Sequence, residues 1–242
     1  MATHAEDLKF RLMTIDLLRT AKKQYTYREL SAKTGLPVTV LSRYAKGHVL
    51  PNIERAQSLG KTLRHLVGLE NELHRRIKFN REGYFDNTKI VGDSNILRQA
   101  ANHALALFAG KRVTKVLTAA CDGIPLATMV ADSLGVNLVM AKRYKEVGVP
   151  AFMDETYVLR GSGVTMTLYM PKNSLKRRDS VLIVDDMIKT GETQAALINL
   201  VHKAKAEVSG VYSLIAVGNE WQKIINLPKE SVVEAIIKLK SS

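Results

Sequence analysis

The 242-residue chain contains a single cysteine, Cys121. One cysteine excludes an intrachain disulfide and a cysteine-built zinc site, and it suits a reducing compartment. The six histidines, at positions 4, 48, 65, 74, 103 and 202, show no paired spacing suited to zinc. No Gly-x-Ser-x-Gly elbow and no P-loop Lys-Ser/Thr motif is present. No apolar run approaches the ~20 residues that span a bilayer. The opening MATHAEDLKFRLMT alternates charged and apolar residues, without the uninterrupted apolar core of a signal peptide. Together these absences point to a cytoplasmic protein with no membrane partner. Acidic residues are also scarce, 23 Asp+Glu against 36 Lys+Arg for a net charge of +13. That excess calls for a polyanionic partner without naming it.

The character of the sequence changes near residue 80. Residues 1–80 carry 15 Lys+Arg and 7 Asp+Glu and almost no strand-like run. The remainder alternates β-rich runs (VTKVLTAA, VNLVMAK, VTMTLYM, VLIVDD, VSGVYSLIAVG) with helical patterns, which indicates βαβ units and a mainly parallel sheet. The expected class is α/β: an all-helical domain over 1–60, a connecting helix or linker over 61–84, and a larger α/β domain over 85–242. Residues 60–80, with Leu63, Leu66, Val67, Leu69 and Leu73, read as one connecting helix with a face for a second subunit.

A first helix is expected from Ala5 to about Lys22, with Leu8, Leu12, Ile15, Leu17 and Leu18 as its apolar stripe. In the following YRELSAKTGLPVTVLSRYAKG, Leu30 packs from a short helix and Gly35 supplies the positive φ of a tight turn. Leu36 then anchors the chain, Thr39 caps the next helix, and Leu41 and Tyr44 form that helix's buried face. This spacing resembles the helix-turn-helix of Cro/Xre-like DNA-binding proteins, with Ser31 where that family usually has alanine. The resemblance implies a double-stranded DNA operator as partner. The outward residues of the second helix, Val38, Thr39, Ser42 and Arg43, are then the candidates to meet base edges in the major groove. Arg28, Lys33, Lys46 and His48 are candidates for backbone phosphates. Any single lysine on such a face is equally an ordinary solvated charge.

The most specific pattern is VLIVDDMIKTGET, residues 181–193. Four apolar residues read as a buried strand with two acids at its carboxyl end, and a short loop leads into a helix near Thr193. All thirteen positions resemble the phosphoribosyl-pyrophosphate (PRPP) signature of type I phosphoribosyltransferases. By that resemblance, Asp185 and Asp186 hold the 2′- and 3′-hydroxyls of a ribose, directly or through Mg²⁺. The loop formed by Lys189, Thr190, Gly191, Glu192 and Thr193 receives a 5′-phosphate at a helix N-terminus. Glu192 departs from the Gly or Lys often found there. A carboxylate fits beside a phosphate only if it points outward, so this residue counts against turnover more than against binding.

Residues 116–135 resemble the same family's first strand, pyrophosphate loop and following helix, with Ala120, Cys121, Asp122 and Gly123 forming the loop. Cys121 reads as a small filler. Residues 141–163 resemble the mobile basic loop that closes over PRPP, with Lys142, Arg143 and Lys145 either pairing with pyrophosphate or forming a solvated charge run. The segment 218–230 stands where such enzymes carry a base-recognising hood, yet it offers only Trp221, which reads as packed against its own domain. The stretch GSGVTMTLYMPKNSLKRRDSVLIVDD also resembles purine repressors built on this fold. The implied function is a homodimeric, DNA-binding transcription regulator. Its ligand would be PRPP, with Mg²⁺, or a related ribose phosphate or nucleotide. The alternative is an active purine or orotate phosphoribosyltransferase with an accessory helical domain.

Overall fold

The computed structural model describes residues 3–81, 86–160, 162–228 and 231–240. The chain divides into two units, Met1–Arg76 and Ile77–Ser242. Residues 82–84, at the end of the stretch read as a linker, and residue 85, where the second domain was expected to begin, lie outside the described residues.

Five helices build the first unit: α1 (His4–Lys22), α2 (Tyr27–Thr34), α3 (Val38–Ala45), α4 (Ile53–Val67) and α5 (Leu69–Arg76). Their shared core contains Leu17, Leu18, Leu30, Leu41, Tyr44, Leu59, Leu63 and Val67. The apolar stripe of α1 is buried only over its second half, for Leu8 and Leu12 remain 38% and 46% exposed. Helix α2 opens with a capping box in which the Glu29 N–H donates to Thr26 Oγ1 and the Thr26 N–H donates to Glu29 Oε2. It ends at Gly35 in the left-handed region, φ +70°, as the turn requires. The expected cap by Thr39 is not formed. Helix α3 starts two residues earlier, after Pro37, whose fixed φ sets the entry but whose side chain offers no acceptor. Residues 60–80 are not one helix either. Gly68 is extended between α4 and α5, and residues 60–76, with the buried Leu63, Val67 and Leu73, belong to the first unit.

In the second unit, α6 (Thr88–Val91) and α7 (Ser94–Leu107) precede the repeating pattern β1 (Lys115–Ala119), α8 (Ile124–Leu134) and β2 (Asn137–Ala141). A hairpin of β3 (Phe152–Val158) and β4 (Thr165–Pro171) follows. Then come β5 (Ser180–Ile188), α9 (Glu192–Lys203), β6 (Glu207–Val217), α10 (Trp221–Ile224) and β7 (Val232–Leu239). Five strands form one parallel sheet in the order β2-β1-β5-β6-β7. Alternate side chains of the central strands (Leu117, Val181, Ile183, Val211) pack with Leu197, Leu200 and Val201 of α9.

The crossover β1–α8–β2 steps to one side of the sheet, and β5–α9–β6 steps to the other. The loops leaving β1 and β5 therefore face each other at the point where strand order reverses, the place where open α/β sheets hold ligands. Two differences from the sequence reading bear on the site. Strand β5 continues to Ile188, so Asp185 and Asp186 lie within it rather than at its end, because β6 is long enough to keep pairing through Ala216. Much of the stretch read as a mobile loop, 141–163, is strand β3, paired residue for residue with β4 from Phe152↔Pro171 to Val158↔Thr165. Its polar residues, the exposed Asp154 and Thr156 and the half-buried Glu155, disguise it as loop.

Candidate functional site

In the second unit the loop after β1 closes directly on β5. Gly123 is buried, and a Cβ there would lie 2.5 Å from Thr118 Oγ1 and 2.6 Å from Asp185 Oδ1. Only glycine permits that approach. The Ala120–Cys121 peptide is cis, Ala120 N–H donates to Ala141 O at 2.9 Å, and Cys121 and Asp122 are exposed. The four residues read as a pyrophosphate loop are thus brought beside the acid pair.

Both acids are buried, Asp185 at 7% and Asp186 at 8% exposure. Asp185 Oδ2 accepts from Gln194 Nε2 at 2.6 Å and Oδ1 from the Asp186 N–H at 3.0 Å. Asp186 Oδ2 accepts from Asn87 Nδ2 at 2.5 Å. Burial, followed by the neighbouring Asp186 charge, pushes the Asp185 carboxyl well above the usual carboxylate range. Burial also raises Asp186, and the charge of Asp122 adds to that rise. Sequence reasoning missed both amide partners. Gln194 carried one available signal, as a polar residue on the buried face of a helix; Asn87, ninety-nine residues away from its partner, carried none.

Beyond β5 the chain turns at Gly191, φ +91°, where a Cβ would sit 3.1 Å from Trp221 Cα and Cβ. Trp221 is 3% exposed and its indole N–H donates to Gly218 O at 2.9 Å. It therefore packs against its own domain and presents no face to a base. The last two residues of the hood segment, 229 and 230, lie outside the described residues.

Helix α9 begins at Glu192, so its free N–H groups and positive end face the loop of Lys189, Thr190 and Gly191. Lys189 is exposed, Thr190 half-buried, and Thr193 Oγ1 is 3.3 Å from Tyr157 Oη on the hairpin. Glu192 does not point outward. It is 8% exposed, its Oε2 accepts from the Thr190 hydroxyl, and Arg160 Nε stands 3.7 Å from its Oε1. Glu192 thus lies between the start of α9 and Arg160, and its buried Oε1 accepts no hydrogen bond among the described residues. Two of the three basic residues after β2 have partners within their own segment or on β4. Lys142 pairs with Glu146 at 2.5 Å and lines a groove along β2 with Asn137, Pro171 and Asn173, while Lys145 Nζ lies 5.1 Å from the centre of the Tyr169 ring. Arg143 is exposed.

In the first unit, burial of Leu41 and Tyr44 turns Val38, Thr39 and Arg43 outward, with Ser42 half-buried beside them. Arg28, Lys33, Lys46 and His48 are also exposed, and Lys33 Nζ lies 5.6 Å from the Tyr25 ring centre. Arg19 Nε donates to Ala45 O at 2.8 Å, bracing the last turn of α3. Glu29 is the one acid between residues 27 and 48, and the capping box occupies it.

The family model of the phosphoribosyl transferase domain matches residues 85–239, and a helix-turn-helix model matches residues 15–66. The chain belongs to the phosphoribosyl transferase domain family. The purine biosynthesis transcriptional repressor PurR of Bacillus subtilis is 30% identical over 144 residues, 60% of this chain and 50% of that protein. The chain therefore spans about half the length of that relative. A hypoxanthine/guanine phosphoribosyltransferase of Methanotorris igneus is 33% identical over 156 residues, 64% of this chain and 80% of that one. Among solved structures, adenine phosphoribosyltransferase from Rhodothermus marinus superposes with a TM-score of 0.60 at 29% identity, covering 71% of this chain and 98% of that one. The phosphoribosyl transferase domain here thus follows a helix-turn-helix unit. Among the described residues no helix is long and apolar enough to cross a membrane, and no group of three or more His, Cys, Asp and Glu could hold a metal ion.

Proposed function

We propose that the chain is a homodimeric transcription regulator. Its helix-turn-helix unit binds operator DNA, and its phosphoribosyl transferase domain binds PRPP or a related ribose phosphate or nucleotide as effector. The observation that carries this reading is the presence, in one chain, of a helix-turn-helix with exposed Arg28, Lys33, Arg43 and Lys46 and of a buried acid pair leading into the loop before α9. In this reading Asp185 and Asp186 receive the ribose hydroxyls. The amides of residues 189–193 receive the 5′-phosphate, and those of 120–123 receive the pyrophosphate. The acid pair by itself makes a poor metal centre, since Gln194, Asn87 and a backbone N–H already hold its oxygens. Magnesium, in the proposal, would be held chiefly by the pyrophosphate and would supply charge neutralisation there.

Regulation requires the effector to bind the DNA-competent and DNA-incompetent forms with different affinity, since equal affinity shifts nothing. Two recognition helices in a dimer match half-sites about one DNA turn apart. The test is a mobility-shift titration on the protein's own upstream region, with and without PRPP and magnesium. The doubly substituted Asp185→Asn/Asp186→Asn chain is expected to keep DNA binding and lose the ligand response. If calorimetry with magnesium detects no binding of any phosphorylated pentose or nucleotide, the proposal fails.

The Methanotorris igneus relative favours a second reading, an active phosphoribosyltransferase. Against it stands Glu192, whose buried carboxylate engages the hydroxyl of Thr190 where the transferred ribose phosphate would be held. Turnover of radiolabelled PRPP with adenine, guanine, hypoxanthine, xanthine or orotate at ordinary enzymatic rates, ~1–10³ s⁻¹, decides for the enzyme.

A further inference from the structure

The phosphoribosyl transferase unit carries its excess positive charge on one edge. Residues 77–242 hold 22 Lys+Arg and 16 Asp+Glu. Six of those cations, Lys111, Arg112, Lys176, Arg177, Arg178 and Lys205, are all exposed and lie in the three loops that lead into β1, β5 and β6. Without them the count is 16 against 16, so these loops account for the whole excess of the unit.

Hydrogen bonds stitch the three loops into one surface. Arg112 Nη2 donates to Arg178 O at 2.7 Å, the Thr114 N–H to Ser180 O at 2.8 Å, and the Glu207 N–H to Asp179 O at 3.0 Å. Asp179, the acid inside the basic run, is turned inward. Its Oδ1 accepts from the Thr114 hydroxyl and its Oδ2 from the Lys176 N–H, each at 2.8 Å. That turn holds the side chains of residues 176–178 on the outside. Because the strands are parallel, these loops occupy the amino edge of the sheet, whereas the acid pair and phosphate loop lie toward its carboxyl edge. The phosphates of a small ligand therefore do not account for them. A concentrated, rigid patch of like charge costs self-repulsion, and an extended polyanion relieves it.

We infer that this edge is a second DNA-contacting surface, which grips the phosphate backbone of duplex DNA without reading sequence. The inference rests on the proposal that the chain binds DNA, and it assigns part of the affinity to the phosphoribosyl transferase domain. Cations that neutralise phosphates release condensed counterions, and each such contact steepens the salt dependence of binding by about one unit.

The experiment measures fluorescence anisotropy of the full chain with its upstream duplex and with a duplex of arbitrary sequence, across a salt series. The Lys176→Ser/Arg177→Ser/Arg178→Ser chain is expected to bind both duplexes at least about tenfold more weakly at low salt, with a log–log salt slope shallower by about two to three. The Arg177→Lys/Arg178→Lys chain is expected to match the wild type, since it preserves the charge. Unchanged affinity and slope in the serine variant overturn the inference. So does equal damage from the lysine variant, which would point to a structural role. Loss of binding to phosphatidylserine vesicles with DNA binding intact would assign the patch to a lipid surface instead. A wild-type chain that binds no duplex at all defeats the DNA-binding proposal itself, a different result from an unaffected variant.

Discussion

The outward residues of α3 and the acid pair of β5 differ sharply in burial. In the helix-turn-helix unit, Leu41 and Tyr44 fix the recognition helix from below, while Val38, Thr39 and Arg43 stand outside the core. In the phosphoribosyl transferase domain, Asp185, Asp186, Gly191 and Glu192 are themselves buried, so the groups that would meet a ligand lie inside the packed structure. A surface reader can change its contacts without refolding. The acid pair and Glu192 have less freedom, because their carboxylates already accept hydrogen bonds from the protein.

Substitutions test that contrast. Leu41→Ala is expected to have the largest effect, a loss of about 2–5 kcal/mol from a fully buried side chain, seen as early thermal unfolding of the first unit. Gly123→Ala comes next in the second unit. The added Cβ meets Asp185 Cα at 3.3 Å as well as the two side-chain oxygens. Backbone cannot swing aside as a side chain can, so a cost of about 2–3 kcal/mol is expected. Ligand affinity, read by calorimetry, should fall together with the melting temperature. A Gly123→Ala chain that melts normally while losing the ligand would show that function and stability are separable in the pocket after all.

Arg43→Ala sharpens the other side of the contrast. Stability is expected to stay within about 0.5 kcal/mol of the parent, while operator binding weakens by about 1–3 kcal/mol. The loss should be specific to the operator at fixed salt. An equal loss on unrelated DNA would make Arg43 a phosphate contact, and a drop in melting temperature would place it in the fold.

What could be read from the sequence follows the same division. The stretch from Val181 to Thr193 announces itself because strand, acids, tight turn and helix start are consecutive in the chain. Leu30, Gly35, Leu41 and Tyr44 were legible for the same reason, since helix spacing and turn chemistry are local signals. The missed features have other causes. Strand β3 is one of a half-exposed hairpin pair, and Asp154, Glu155 and Thr156 give it the composition of a loop. Thr39 looked like a cap, but Pro37 had already set the helix entry. The Asn87–Asp186 and Arg160–Glu192 contacts join residues far apart in sequence, and no local pattern records them. Glu192 departs from the family pattern in the sequence itself, yet only the fold shows that its carboxylate turns inward onto Thr190.

The smallest expected effect separates the units by the sign of their pH dependence. Burial raises the Asp185 carboxyl above its unfolded value near 3.9. Folding therefore favours the protonated form, and the associated stability is complete below the unfolded pKa and is lost as pH rises through the folded one. Asp185→Asn removes this titration and leaves Gln194 able to flip its amide and keep the contact. The variant is expected to melt above the parent at pH 8, with the difference shrinking as pH falls toward the unfolded carboxylate range. Glu29 in the first unit behaves oppositely. Hydrogen bonds from Thr26 in the capping box lower its pKa, so its stabilisation is present above the unfolded value and is lost on acidification. Glu29→Gln should accordingly flatten the acid limb of the first unit's melting profile, while Asp185→Asn flattens the alkaline limb of the second. If both substitutions moved the same limb, the carboxylates would share one kind of environment, and the division between an exposed reader and a buried pocket would not extend to their electrostatics.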